Sequence, residues 1–139
     1  MATILDHPFM RLLLSLDLPR EDCAVAGSGP LFARGWITDP GDIDVVARGA
    51  AWEIATKHGR PAPAPQCDVQ LISLFDGSIE VLDGWFCEDR DALIDSADVI
   101  EGVRFVTLDV VARTKSHLNR PRDVEHLKVM HARGWDWPI

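Results

Sequence analysis

Two aspartates with strand spacing are the residues best suited to chemistry in this sequence. Asp42 and Asp44 stand two residues apart at the start of an apolar run, Asp42-Ile43-Asp44-Val45-Val46. Side chains at positions i and i+2 of a strand point to the same face, so the two carboxylates should project side by side. Neighbouring carboxylates repel each other unless a positive group lies between them. A hard cation such as Mg²⁺ takes oxygen ligands and often also binds nucleotide phosphates. The pattern therefore indicates phosphoryl or nucleotidyl chemistry.

A small-residue turn, Gly27-Ser28-Gly29, follows the apolar run 23–26 and precedes a predicted helix. Backbone N–H groups at a helix N-terminus bind phosphate oxygens, and glycine lets the backbone approach a ligand closely. Serine is also a preferred helix cap, and this role is compatible with phosphate binding. Phe32 occupies the position of the third glycine of a dinucleotide fingerprint, and no Gly-Lys-Ser/Thr sequence follows. The turn is thus a candidate phosphate site of another type.

A third oxygen ligand is expected beside the two aspartates. Glu80 alternates with Ile79 and Val81 after the predicted hairpin turn Asp76-Gly77, so its side chain should leave the buried face. Glu80 completes a three-carboxylate cluster if its strand lies next to that of Asp44, and it is otherwise an exposed strand residue. Asp83 is the weaker candidate because Asp83-Gly84 is typical of a turn.

The elements that must position these residues follow from periodicity and turn signals. Helices are predicted over 7–16, 30–36, 50–57, 108–118 and 122–132, and strands over 22–26, 42–47, 68–75, 78–82, 99–100 and 103–106. This order predicts an α/β (α+β) fold with a small mixed β-sheet flanked by helices. At 139 residues the chain is expected to form a single domain, 1–139.

Composition narrows the classes of partner and compartment. The net charge of −8 makes nucleic acid an unlikely partner, and no apolar run reaches the roughly 18 residues of a membrane span. The N-terminal residues do not resemble a signal peptide. Three scattered cysteines, Cys23, Cys67 and Cys87, favour a reducing compartment and do not form a thiolate metal site. We therefore expect a cytoplasmic protein.

The order Gly27-Ser28, helix, Asp42-x-Asp44 and then Glu80 on a later strand resembles the nucleotidyltransferase-like superfamily. That superfamily includes minimal and antibiotic nucleotidyltransferases and toxin–antitoxin members. The resemblance covers roughly residues 22–132. It implies the nucleotidyltransferase-like fold, with the triphosphate at Gly27 and Ser28 and Mg²⁺ at the three acidic residues. The sequence departs from the family pattern in two respects: Glu80 stands where Asp is commoner, and the small size leaves no separate substrate-binding domain.

The resemblance implies transfer of a nucleoside monophosphate from an NTP to a hydroxyl of a small molecule or protein. Asp42, Asp44 and Glu80 would be the catalytic and metal-binding residues, with Glu80 as general base. Lys115 either contacts the phosphates, pairs with a carboxylate or lies on a solvated helix face. Further phosphate contacts are possible at Arg34, Arg48, His117 and Arg122. The alternative is a non-catalytic, antitoxin-type or partner-binding module. The small size of the chain suggests that a homodimer or partner protein completes the acceptor site.

Overall fold

A seven-stranded mixed sheet with six α-helices forms the described part of the chain. The computed structural model describes residues 3–66 and 68–135. The helices are α1 (Pro8–Ser15), α2 (Gly29–Ala33), α3 (Gly49–His58), α4 (Arg90–Asp95), α5 (Leu108–Leu118) and α6 (Pro121–Ala132). The strands are β1 (Cys23–Ala26), β2 (Ile43–Ala47), β3 (Ala62–Pro63), β4 (Gln70–Leu74), β5 (Ile79–Leu82), β6 (Asp98–Ile100) and β7 (Val103–Phe105). The predicted mixed α/β class is therefore confirmed.

The observed elements differ from the predicted ones mainly at their ends and by one short additional helix. β2 begins at Ile43, so Asp42 lies just before the strand rather than within it. α2 ends at Ala33, soon before Gly35, which has a left-handed φ of 74°. The six residues of α4 were not predicted, because such a short helix shows little periodicity. Its N-terminus is capped by Asp89, whose Oδ1 accepts a hydrogen bond from the Ala92 N–H.

The strand order of the sheet is β3-β4-β5-β2-β1-β7-β6. β2 pairs with β5 in parallel and with β1 antiparallel, and β1 also pairs with β7 in parallel. The hairpin of β4 and β5 is antiparallel, as the Asp76-Gly77 turn predicted. The two central strands, β1 and β2, therefore carry the Gly-Ser turn and the aspartates into the middle of the sheet.

Alternation along β2 and β5 separates two cores. Ile43 and Val45 are fully buried in a cluster with residues of α1 and α3 on one face. Val46 and Leu82 pack on the other face with residues of α5 and α6. Because side chains two residues apart share a face, Asp44 lies on the same face as Val46. The acidic residues of β2 and β5 therefore lie on the side covered by the two closing helices.

No helix within residues 3–66 and 68–135 combines the length and apolar character needed to span a bilayer.

Candidate functional site

The parallel pairing of β2 with β5 brings two of the predicted acidic residues together. Asp44 lies directly opposite Glu80 in the register. These residues and Asp42 line a single cavity of about 290 Å³. The sequence could predict each strand, but only the pairing of strands far apart in the chain determines that the carboxylates meet.

The three carboxylates influence one another electrostatically. Burial, followed by the negative charges of Glu80 and Asp42, raises the pKa of Asp44 to about 7, although the charges of Arg122 and Lys115 act to lower it. Burial also raises the pKa of Glu80, again with a contribution from Asp42. The shifts reflect burial first and repulsion between the carboxylates second, and a bound cation would offset this repulsion.

The turn after β1 lies against this cluster. Gly27 has a φ of 62°, and a Cβ placed on it would lie 2.6 Å from Oδ2 of Asp44. Glycine is therefore required there both by the backbone conformation and by the approach of the carboxylate. The backbone of the turn and the aspartate form one continuous surface of the cavity.

The hydroxyl of Ser28 faces a group of basic side chains instead of capping its helix. Ser28 precedes α2 but makes no side-chain capping hydrogen bond. Its Oγ accepts hydrogen bonds from Lys115 Nζ at 3.0 Å and Arg122 Nη2 at 3.1 Å. Nδ1 of His126 also lies 3.3 Å from this oxygen. We call Ser28, Lys115, Arg122 and His126 the cationic cluster, since two of its members are basic and surround one hydroxyl.

A buried acid on α6 holds the lysine of this cluster. Lys115 is 3% exposed, and its Nζ lies 3.4 Å from Oδ1 of the fully buried Asp123. Arg120 donates to the same carboxylate, with Nε 2.7 Å from Oδ2. Burial acts to raise the pKa of Asp123, but the hydrogen bonds from Arg120 and the charge of Lys115 lower it to about 2. Asp123 therefore stays ionised and fixes the lysine in the cavity.

His126 stands in the cluster as a neutral ring. Burial and the charges of Lys115 and Arg122 lower the pKa of His126 to about 4. Its ring nitrogen can therefore donate to or accept from the Ser28 hydroxyl without adding a charge.

The donor set of the cavity fits a magnesium ion in its chemistry. Asp42, Asp44 and Glu80 supply carboxylate oxygens, which Mg²⁺ binds together with phosphate oxygens and water. Across residues 3–66 and 68–135, however, no three His, Cys, Asp or Glu side chains are already arranged to hold a metal ion. The fit thus rests on the shared cavity, the register of Asp44 with Glu80 and the charge imbalance.

Four other candidates from the sequence do not line the carboxylate cavity: Asp83, Arg34, Arg48 and His117. Asp83 Oδ1 accepts a hydrogen bond from the Gln70 N–H and so closes the β4–β5 pair. Arg34 pairs with Asp98, and Arg48 pairs with three acidic residues, Asp22, Asp91 and Asp95. His117 lines a neighbouring cavity rather than the one with the carboxylates. Of the four additional basic candidates, Arg122 alone lines the carboxylate cavity.

Sequence reasoning missed several residues of the site. The sequence patterns assign no role to His126 or Asp123, which lie against Ser28 and Lys115. Trp85, Phe86 and Gln66 line the cavity without any earlier assignment. A signal was present for Asp123, because an acid at the third position of a helix after Arg120-Pro121 is typical of a capped N-terminus.

The cysteines differ from the expected set of three thiols. Cys23 is free, whereas Cys87 is disulfide-bonded. Cys67 lies outside the described residues. The disulfide at Cys87 differs from what a reducing compartment predicts, and the free Cys23 does not test that prediction.

Comparisons with known proteins identify no relative. No protein-family model matches the chain, and no curated protein or solved structure matches it significantly.

Proposed function

We propose that the protein is a Mg²⁺-dependent nucleotidyltransferase acting on an NTP and a hydroxyl acceptor. One observation carries this proposal: the cavity that holds Asp44 and Glu80 in register is also lined by Ser28, Lys115 and Arg122 of the cationic cluster. Two opposite charges within one cavity match a metal-bound polyphosphate, whose phosphates need cations and whose metal needs anions.

The residues of the cationic cluster would hold the triphosphate. Lys115 and Arg122 already donate to the Ser28 hydroxyl and can turn these donors toward phosphate oxygens. The backbone of the turn at Gly27 adds N–H groups beside them. Asp123 keeps the lysine in place, and neutral His126 orients the serine hydroxyl.

The carboxylates would act on the metal and the acceptor. Mg²⁺ held by Asp42, Asp44 and Glu80 supplies charge neutralisation on the phosphates when it is bound. The acceptor oxygen bonds to the α-phosphorus, the bond to the bridging oxygen breaks, and pyrophosphate leaves. Glu80 would accept the proton of the acceptor hydroxyl as general base.

A thermal-shift assay with each of the four NTPs, with Mg²⁺ or with EDTA, tests this proposal. We expect Mg²⁺-NTP to raise the Tm by about 9 °C at a hundredfold excess over Kd. Asp44→Asn and Asp42→Asn should lose this shift. Asp76→Asn, the same chemical change on the exposed hairpin turn, should keep it. Release of pyrophosphate in a panel of hydroxyl acceptors then tests catalysis. A wild-type protein with no NTP-dependent shift would contradict the proposal.

A non-catalytic nucleotide-binding or partner-binding module is the second candidate. It is favoured by the lack, in the described residues, of three side chains already arranged around one metal position. This module would show the NTP-dependent shift without release of pyrophosphate. Either function leaves room for a homodimer or a protein partner that completes the acceptor site, which sedimentation with and without Mg²⁺-NTP would measure.

A further inference from the structure

A second cavity of about 530 Å³ adjoins the first and has no role in the proposed chemistry. The two cavities share four residues at their boundary, Pro65, Gln66, Phe86 and Thr114. Together they fall within the size range of small-molecule sites, about 300–1,000 Å³. The shared wall makes them two lobes of one site, and we call the second one the aromatic lobe because of Phe86 and His117.

The aromatic lobe and Ser28 lie toward opposite edges of the sheet, whereas helix α5 borders both the lobe, through Thr114, and the cationic cluster, through Lys115. The first cavity follows the sheet from Ser28 after β1 to Asp44 on β2, Glu80 on β5 and Leu71 on β4. The lobe begins beyond these strands, at the segment that follows the edge strand β3. In the strand order, Glu80 on β5 and Asp44 on β2 therefore stand between Ser28 and the aromatic lobe.

The wall of the lobe is held in an unusual backbone conformation. Phe86 and Cys87 have φ values of 43° and 61°, which are rare for side-chain-bearing residues. Gln66 Oε1 accepts a hydrogen bond from the Phe86 N–H at 3.0 Å. Such a conformation needs support from its surroundings, and the hydrogen bond to Gln66 supplies part of that support.

Packing on both sides fixes the Phe86 ring. Its centroid lies 5.0 Å from that of Trp85 and 5.9 Å from that of His117, in edge-to-face arrangements. Trp85 is buried and donates from Nε1 to Thr114 Oγ1 at 2.9 Å. The ring is thus a rigid, partly exposed aromatic surface in the wall of the lobe.

The charges of the lobe are largely paired with each other. Arg113 donates to both carboxylate oxygens of Glu88, at 3.0 and 2.7 Å. The amide of Gln66, whose oxygen accepts from Phe86, still carries two N–H donors. Aromatic faces, an amide and a neutralised ion pair suit a planar, uncharged heterocycle better than another phosphate.

We infer that the aromatic lobe binds the base of the NTP, with Phe86 as its stacking surface. The inference rests on the proposed function, because an NTP carries its γ-phosphate and its base at opposite ends. With the triphosphate at the cationic cluster and its metal at Asp44 and Glu80, the nucleoside extends into the lobe. Stacking on an aromatic side chain contributes to affinity for any base, since each base has a π-face.

Two probes separate the base from the phosphates: Mg²⁺-ATP and Mg²⁺-tripolyphosphate, with Kd values measured by calorimetry. Phe86→Leu keeps an apolar side chain but removes the aromatic face. It should weaken ATP binding about tenfold and leave tripolyphosphate binding within about twofold of wild type. Phe86→Trp should restore ATP binding. Phe75→Leu is the matched control, because Phe75 is also left-handed at a φ of 54° but is 42% exposed on the hairpin turn.

Each alternative outcome is distinct. Unchanged ATP binding in Phe86→Leu would overturn the base site while leaving the proposed function intact, and would assign the lobe to the acceptor. Equal weakening of both probes would show that Phe86 acts through the fold, which also overturns the inference. A wild-type protein that binds tripolyphosphate as tightly as ATP would have no base site. A wild-type protein that binds neither probe would remove the proposed function and the inference together.

Discussion

At the scale of single residues, the environment of each buried aspartate determines whether its ionised form is favoured. Asp44 faces Glu80 and lies two residues from Asp42, and its pKa is raised to about 7 first by burial and then by repulsion from these two carboxylates. Across the cavity, Asp123 has the opposite shift because two basic side chains contact it. The ionised carboxylate is thus disfavoured at Asp44 and favoured at Asp123, although both residues line the same cavity.

Asp44→Asn should stabilise the metal-free protein at pH 8. The folded pKa of Asp44, about 7, lies above its ordinary value of 3.8, so the folded state holds the proton more tightly. Its contribution to stability is therefore full below pH 4 and is lost as the pH rises to about 7. Asparagine removes that loss, and we expect a gain of roughly 2 kcal/mol in the free energy of unfolding. Urea denaturation in EDTA, from pH 4 to 8, measures it.

The control for that experiment is Asp76→Asn, since Asp76 is exposed on the hairpin turn. The difference between wild type and Asp44→Asn should grow from pH 4 to 7 and then stay constant. A destabilised Asp44→Asn protein at pH 8 in EDTA would show that Asp44 makes a favourable charged interaction instead of a repulsive one. The effect should shrink when saturating Mg²⁺ replaces EDTA, because the ion offsets the negative charge.

At the scale of elements, the strands and turns that carry the site could be predicted more fully than their contacts. β1, the Gly-Ser turn and the β4–β5 hairpin follow from apolar runs and turn residues that act locally. The short α4 could not be predicted, because it is stabilised by its cap and by packing of Leu93 and Ile94. The hydrogen bonds of Ser28 could not be predicted either, because their donors lie on α5 and α6, far from Ser28 in the chain.

Gly27→Ala tests the contact between the turn and β2. Any residue other than glycine at a φ of 62° is strained by about 1 kcal/mol. The added Cβ would also lie 2.6 Å from Asp44 Oδ2, so the carboxylate must move. We expect a loss of about 1 kcal/mol in stability and a further tenfold loss in Mg²⁺-NTP affinity, measured by denaturation and calorimetry.

Gly35→Ala provides the matched control. Gly35 also has a left-handed φ, 74°, but an added Cβ there meets nothing within 4 Å. It should lose similar stability and keep its affinity. Equal losses of affinity in the two variants would refute the idea that the turn acts on Asp44.

At the scale of the whole molecule, the cavity joins segments from residue 27 to residue 123. The chain carries a net charge of −8, yet the cationic cluster gives one end of the cavity the opposite sign. Local charge at this end is therefore decided by which elements meet there and not by composition. The same assembly places the aromatic lobe beside the carboxylates.

Hydrogen exchange should show that one ligand affects all of these segments. Saturating Mg²⁺-ATP should slow amide exchange several-fold in peptides covering residues 27–31, 42–46 and 114–123. Peptides from α1, which packs on the opposite face of the sheet, should change least. Protection confined to one of the three segments would contradict a ligand that spans the cavity.

The sequence by itself determined the residue types, the local elements and the alternation that puts Asp44 and Glu80 on one face of their strands. These features depend on neighbours along the chain and on the two-residue period of a strand. Only the tertiary structure decided that β2 pairs with β5, that Lys115 pairs with Asp123, and that Phe86 forms the wall of a second lobe. Each of these depends on segments brought together by burial of the two cores, and such long-range contacts leave no local pattern.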